Sequence, residues 1–427
     1  MNSVNGKASY TRTMLLSLMA GLMMAGSLTY SPDAEAAVSC ARTVTANVVA
    51  IDQPVMFNRL GAQNINYMVY ALRRDVVNTT SGKPLTAGGA PERGKVALRP
   101  DKRPRPLVLR VAAGDCLQVI LQNLLTDVAN PFKIVDHDED ELAGRHQGFD
   151  NPIMQIDNQV EGRYISFHPL GLQLVNDISD DGSYVGKNTS SLLAPGDIGI
   201  YTYYAEAEGA FMVYSRGQPF GGEASGGNVG VGLFGVVNVE PVGANFYRSQ
   251  ITEEEMRLAT TGTTLINACD SPEDTPANCR PGGQPIIDYE ATYPIAQPWW
   301  DEGKAGLPII NMLAAGNEIV HSDINAVIAH PGDGTGNFPA STYPLERSGV
   351  RNPTVPNRLE AFREFTVVFH DEQAATQAFP MWFTDPVLSH TLHGVRDSFM
   401  INYGSGGIGS EIITNRLGVG PMHDCLN

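Results

Sequence analysis

Two short stretches carry residues whose types and spacing could do chemistry. In "SFHPLG" His168 stands two residues before Leu170. In "EGAFMVYSRG" strand alternation would put Tyr214 and Arg216 on one face. Further on, "SHTLHG" places His390 and His393 three residues apart. On a helical turn that pair shares a side, and on a strand it faces opposite sides, so ligation depends on the local conformation. With His330 and His370 the pair could form one metal site, although each histidine taken alone reads better as a core or surface residue.

Two acidic clusters have blander readings. "DHDEDELAGRH", Asp136 to His146, is rich in carboxylates, but Glu141 stands where an EF-hand loop needs glycine and Gln147 where it needs a bidentate Glu. A solvated acidic loop is the preferred reading. Asp177, Asp180 and Asp181 in "NDISDDGSYVG" read as an Asx-type turn before a metal site. The sequons at Asn78 and Asn188 matter only for a protein secreted by a eukaryote. "GQPFGGEASGG" lacks the strand-to-helix context that phosphate binding needs, and no Walker, G-x-S-x-G or dinucleotide fingerprint stands out.

The elements that must position these residues begin after a leader. Lys7 and Arg12 precede the apolar run "TMLLSLMAGLMMAGSL", and "SPDAEAA" ends in an A-x-A pattern, so residues 1–36 are expected to be a signal peptide cleaved after Ala36. Nothing else approaches the roughly 18 apolar residues of a membrane helix, and a periplasmic or secreted protein is expected. The chain carries 46 acidic against 29 basic side chains, net -17, which makes nucleic acid and anionic membrane poor partners. Among the five cysteines, Cys269 and Cys279 bracket a turn-rich loop that suits a local disulfide. Cys40, Cys116 and Cys425 are left without an assigned partner. Cys116, in "GDCLQVIL", reads as a buried strand cysteine.

From Val44 to Pro241 short alternating or apolar runs lie between turn clusters. "TVTANVVAID", "RPLVLRVAAGDCLQVILQNLL", "IGIYTYYAEAEGAFMVYS" and "VGLFGVVNVEP" are rich in Val, Ile and Tyr. The spacing, with 44 glycines and 28 prolines, predicts an all-β antiparallel Greek-key sandwich or barrel. One helix is expected in "SQITEEEMRLAT", with Thr252 as N-cap and Glu255 three residues on. Residues 37–245 are taken as a first domain, 246–360 as a short helix and loop-rich connection, and 361–427, from "FREFTVVFHDE", as the truncated start of a second sandwich domain.

"LLAPGDIGIYTYYAEAEGAFMVYSRG" resembles the first cupredoxin domain of the multicopper oxidases, where a Pro-Gly turn and a Tyr-rich strand precede an E-G-T-F-W-Y-H-S-H strand. "SFHPLG" resembles that family's H-x-H-G strand. "ANVVAIDQPVMFNRLG", "REFTVVFHDE" and "FMINYG" resemble domain-initial segments of the larger, ceruloplasmin-like members. The resemblance implies cupredoxin domains, copper, and oxidation of a metal ion or phenol-like substrate coupled to reduction of dioxygen.

Position by position the ligands depart from that pattern. His168 matches the first histidine of H-x-H-G, Leu170 stands where the second belongs, and Tyr214 and Arg216 replace both histidines of H-x-H. A trinuclear copper centre needs several neutral imidazoles, and Arg216 would bring positive charge toward any copper. "GPMHDC", with Met422, His423 and Cys425, has blue-copper residue types in the wrong order. The expected protein is therefore the N-terminal portion of an exported multicopper oxidase, completed by further cupredoxin domains or by a homo-oligomer. A non-catalytic cupredoxin-fold binding protein is the alternative. A carbohydrate-binding sandwich with Trp299 and Trp300 as platform ranks last.

Overall fold

The structure is a computed structural model that describes residues 38–56, 62–64, 66–127, 162–184, 187, 189–218, 227–263, 285–295, 303–329, 362–370, 376–377 and 400–402. The candidate residues His330, His390, His393, Cys269, Cys279, Met422, His423, Cys425, Asn188, Trp299 and Trp300, and the acidic stretch 136–146, lie outside the described residues.

Two sheets form a sandwich. The first contains β1 (Thr43–Asp52), β2 (Met68–Leu72), β4 (Cys116–Asn123), β6 (Gln173–Leu174) and β7 (Ile198–Tyr204), in the order β6-β7-β4-β1-β2. The second contains β3 (Leu107–Ala112), β5 (His168–Pro169), β8 (Gly209–Tyr214) and β9 (Phe234–Glu240), in the order β3-β9-β8-β5. Alternation along the strands builds the core between them. Val44, Ala46 and Val48 of β1, Leu117, Val119 and Leu121 of β4 and Tyr201 and Tyr203 of β7 cluster with Leu107, Leu109 and Val111 of β3 and Val237 and Val239 of β9. The fold is thus an all-β, cupredoxin-like Greek-key sandwich.

The antiparallel expectation needs one correction. β1 pairs parallel with β4, Val44 opposite Leu117, and β3 pairs parallel with β9, Arg110 opposite Asn238. Period-2 alternation reports which face is buried and is the same for either strand direction, so the pattern could not show this. Cys116 is fully buried in β4 as expected, and its partner, left open by the sequence, is Cys40, whose disulfide ties the segment just before β1 to the sandwich.

Beyond β9 the chain adds β10 (Asn245–Arg248), α1 (Glu253–Leu258), β11 (Asn325–Ala329) and β12 (Phe362–Phe365). β11 pairs antiparallel with both β10 and β12. α1 carries the expected capping box. The Thr252 hydroxyl accepts from the Glu255 amide at 3.2 Å, and the Glu255 carboxylate accepts from the Thr252 amide at 2.9 Å. Replacing Thr252 with Ala is expected to cost about 1 kcal/mol in urea unfolding, with no change in the denaturant slope.

Candidate functional site

The segment before β5 is held by tyrosines from the first sheet. Tyr70 donates its hydroxyl to the Ser166 carbonyl and Tyr203 to the Phe167 carbonyl, while Tyr201 donates to the Ser191 carbonyl at 2.6 Å. Burial pushes all three phenols up, so they stay protonated donors at any ordinary pH. Ile165 and Leu193 exchange backbone hydrogen bonds at 2.8 and 3.0 Å. Ser166 and Ser215 then lock the second edge. The Ser166 hydroxyl accepts from the Arg216 amide at 2.9 Å, and the Ser215 hydroxyl accepts from the Ser166 amide at 3.2 Å and from Asn228 at 3.0 Å.

This scaffold puts the two sequence stretches side by side. β5 pairs antiparallel with β8, with His168 opposite Tyr214, and the Leu170 amide donates to the Met212 carbonyl at 2.8 Å. Because side chains alternate across a strand, positions 168, 170, 214 and 216 share one face of the sheet. Two glycines make the geometry possible. A Cβ at Gly217 would lie 1.8 Å from the Tyr164 carbonyl oxygen, and Gly171 ends "HPLG" at φ +100°, a conformation L side chains rarely adopt.

His168 is 12% exposed and engaged at both ring nitrogens. Nδ1 lies 2.5 Å from the Asp181 carbonyl and 3.5 Å from the Asp181 carboxylate, so Nδ1 carries the proton and donates. That tautomer leaves Nε2 as an acceptor, and Arg216 Nη1 faces it at 3.5 Å. The Tyr214 ring meets the imidazole edge-on, with centroids 5.4 Å apart. Leu170 is exposed to 45%. In the sequence Asp181 reads only as part of an Asx-type turn. Asp177 does close that turn, accepting from the Ser179 amide at 2.8 Å, whereas Asp181 is the partner that fixes the imidazole. His370 lies on a different sheet, in the strand Val368–His370 that pairs with Met400–Asn402, and its ring packs 4.6 Å from that of Phe234 on β9.

The donor set does not fit copper. It offers one imidazole whose lone pair faces a guanidinium, and Cys116 is consumed in a disulfide rather than available as a thiolate. Among the described residues, no three His, Cys, Asp or Glu side chains converge as a metal site.

No protein-family model matches the chain, and no curated protein matches it by sequence. Solved structures to which it is similar include a multi-copper oxidase from Pseudomonas thermotolerans, 17% identical over 47% of this chain and 30% of that one, with a TM-score of 0.24. A copper nitrite reductase from Nitrosomonas europaea is 15% identical over 47% of this chain and 42% of that one, TM-score 0.24. The multicopper oxidase mgLAC is 13% identical over 58% of this chain and 52% of that one, TM-score 0.25. The chain spans between 30% and 52% of the length of these three neighbours. The fold assignment stands on the strand pairing described above.

Proposed function

We propose that the chain is an exported cupredoxin-fold protein of the multicopper-oxidase type, and that its sandwich domain is a copper-free domain of that protein. Oxidation of a metal ion or phenol-like substrate with reduction of dioxygen then belongs to copper held by other residues. His390 and His393, further cupredoxin domains, or a second copy of the chain are the candidates. The observation that supports this reading most is the register at β5 and β8. Positions 168, 170, 214 and 216 share one sheet face, as the ligand positions of an oxidase strand pair would, and three of the four hold no imidazole. A non-catalytic binding protein is the second reading, favoured by the engagement of both nitrogens of His168.

The test loads the chain without its leader with Cu(II), removes free metal, and measures bound copper, visible absorption and dioxygen consumption with Fe(II) or a phenol. His168→Gln is expected to leave bound copper unchanged, while replacing both His390 and His393 by Gln lowers it. Copper lost from the His168 variant would overturn the copper-free reading of the sandwich. A wild-type chain that binds no copper would remove His390 and His393 as its holders, and a chain that still binds none when joined to further cupredoxin domains would leave the binding-protein reading in its place.

A further inference from the structure

We propose that the outward face of the β5/β8 pair binds a small carboxylate with an apolar body, anchored by Arg216. The proposal rests on the reading that positions 168, 170, 214 and 216 hold no copper.

The first observation is a half-buried guanidinium that has no oxygen acceptor among the described residues. Arg42, Arg99, Arg110, Arg163 and Arg248 each meet an Asp or Glu. Among the described residues the Arg216 side chain contacts only His168 Nε2, at 3.5 Å. Arg73, Arg74 and Arg105 are also half-buried without a carboxylate, but they donate to oxygens of Gln122, Gly303 and Ser322, whereas Arg216 has no oxygen acceptor among the described residues. Among the described residues the Tyr214 hydroxyl has no hydrogen-bond partner either, and it stands two residues from Arg216 on the same strand face.

The second observation is an apolar strip beside these donors. Leu170 and Met212 are 45% and 42% exposed and are neighbours across the two strands, one step along the ladder from the His168/Tyr214 pair. The face therefore offers a cationic head next to an apolar floor. A planar guanidinium presents paired N–H groups that match a carboxylate, and an apolar body lying on Leu170 and Met212 would cover surface otherwise left to water. Asp181 holds the imidazole, and the imidazole lone pair orients the guanidinium, so the fork is aimed before a ligand arrives. Positive charge at Arg216 disfavours amines of the same shape. On an open face with one such anchor, affinity on the order of 1 mM is expected.

The experiment is an NMR titration of the full chain with phenylacetate, with phenethylammonium and inorganic phosphate as comparison arms. The wild type is expected to bind phenylacetate, to bind phosphate more weakly for want of an apolar body, and to ignore phenethylammonium. Arg216→Met keeps the apolar stem and removes the fork, and should weaken phenylacetate binding roughly ten-fold or more. Leu170→Glu, at an exposed position, should do the same by placing a carboxylate where the apolar body lies. Phenylacetate bound equally well by the wild type and both variants would overturn the proposal, and so would phosphate bound as tightly as phenylacetate. Copper content of His168→Gln is read in parallel. If it is unchanged while phenylacetate fails to bind, only the carboxylate site is wrong. If copper falls in that variant, the copper-free reading itself is wrong.

Discussion

Replacing Arg110 with Met is expected to cost about 3–5 kcal/mol in urea unfolding, a large share of the roughly 5–15 kcal/mol that holds a domain folded. Arg110 sits on β3 at 2% exposure with its donors engaged. Nε and Nη2 donate to Glu364 Oε1 at 2.9 and 2.6 Å, Nη2 to the Ile324 carbonyl at 2.8 Å, and Nη1 to the Asp323 carbonyl at 2.5 Å. Glu240, 4% exposed by side chain, approaches Arg110 Nε at 3.7 Å, and Asn238 donates to Glu364 at 2.7 Å. Burial opposes ionisation of Glu364, but the Glu240 hydrogen bond and the charge of Arg110 outweigh it and hold that carboxyl below its ordinary range. Removing the guanidinium leaves the Glu240/Glu364 pair, which shares one proton and carries one negative charge, buried without its cation, and frees β12 from the sandwich. In the Arg110→Met background, Glu364→Gln should recover part of the loss, because it removes that stranded charge. A loss under about 1 kcal/mol, or no recovery in the double variant, would show that the cluster does not hold β12.

This cluster also shows what a sequence signals and what it withholds. "LVLRVA" and "VVNVE" carry a charge inside an apolar strand, which marks Arg110 and Glu240 as residues needing buried partners. Nothing local names Glu364, since it arrives from a strand 254 residues further on. The same holds at the site. "SFHPLG" and "MVYSRG" could be aligned as strands presenting His168, Leu170, Tyr214 and Arg216, and the register brings them together. Asp181 lies in a turn whose contact with His168 depends on how the chain folds back, and no spacing rule reports that. The capping box at Thr252 was legible because both partners lie within one helical turn. The Cys40–Cys116 bond was not, because its partners are 76 residues apart and meet only when β1 and β4 pair in parallel.

Acid is expected to unfold the protein in two overlapping steps, the first beginning near pH 6.5. His321 is buried, and its Nε2 lies 2.8 Å from the Pro308 carbonyl, to which it donates. Burial first, and the nearby charge of Arg248 second, push the imidazole down from 6.5 to about 3. The folded state therefore refuses a proton that the unfolded chain accepts, so this contribution is complete above pH 6.5 and is lost as pH falls toward 3. At about 1.4 kcal/mol per pH unit the loss is roughly 2 kcal/mol by pH 5 and about 4 kcal/mol by pH 3. Glu255 adds the second step with the same sign. Its burial disfavours the charge, but Arg248 and the Tyr293 hydroxyl outweigh that and hold it at about 2, down from 4.5, so its stabilising share disappears below pH 4.5. Asp323, paired with Arg248 at 3.3 Å and also held well below the carboxylate range against its burial, loses its share in the same acid region. The measurement is the free energy of urea unfolding from pH 8 to pH 3. It should be flat above about pH 7 and fall steadily below about pH 6.5. His321→Gln keeps a donor for the Pro308 carbonyl and has no proton to gain, so it should flatten the curve between pH 6.5 and 4.5 and leave the Glu255 step in place. An unchanged slope in that window would mean that another group takes up the proton on unfolding.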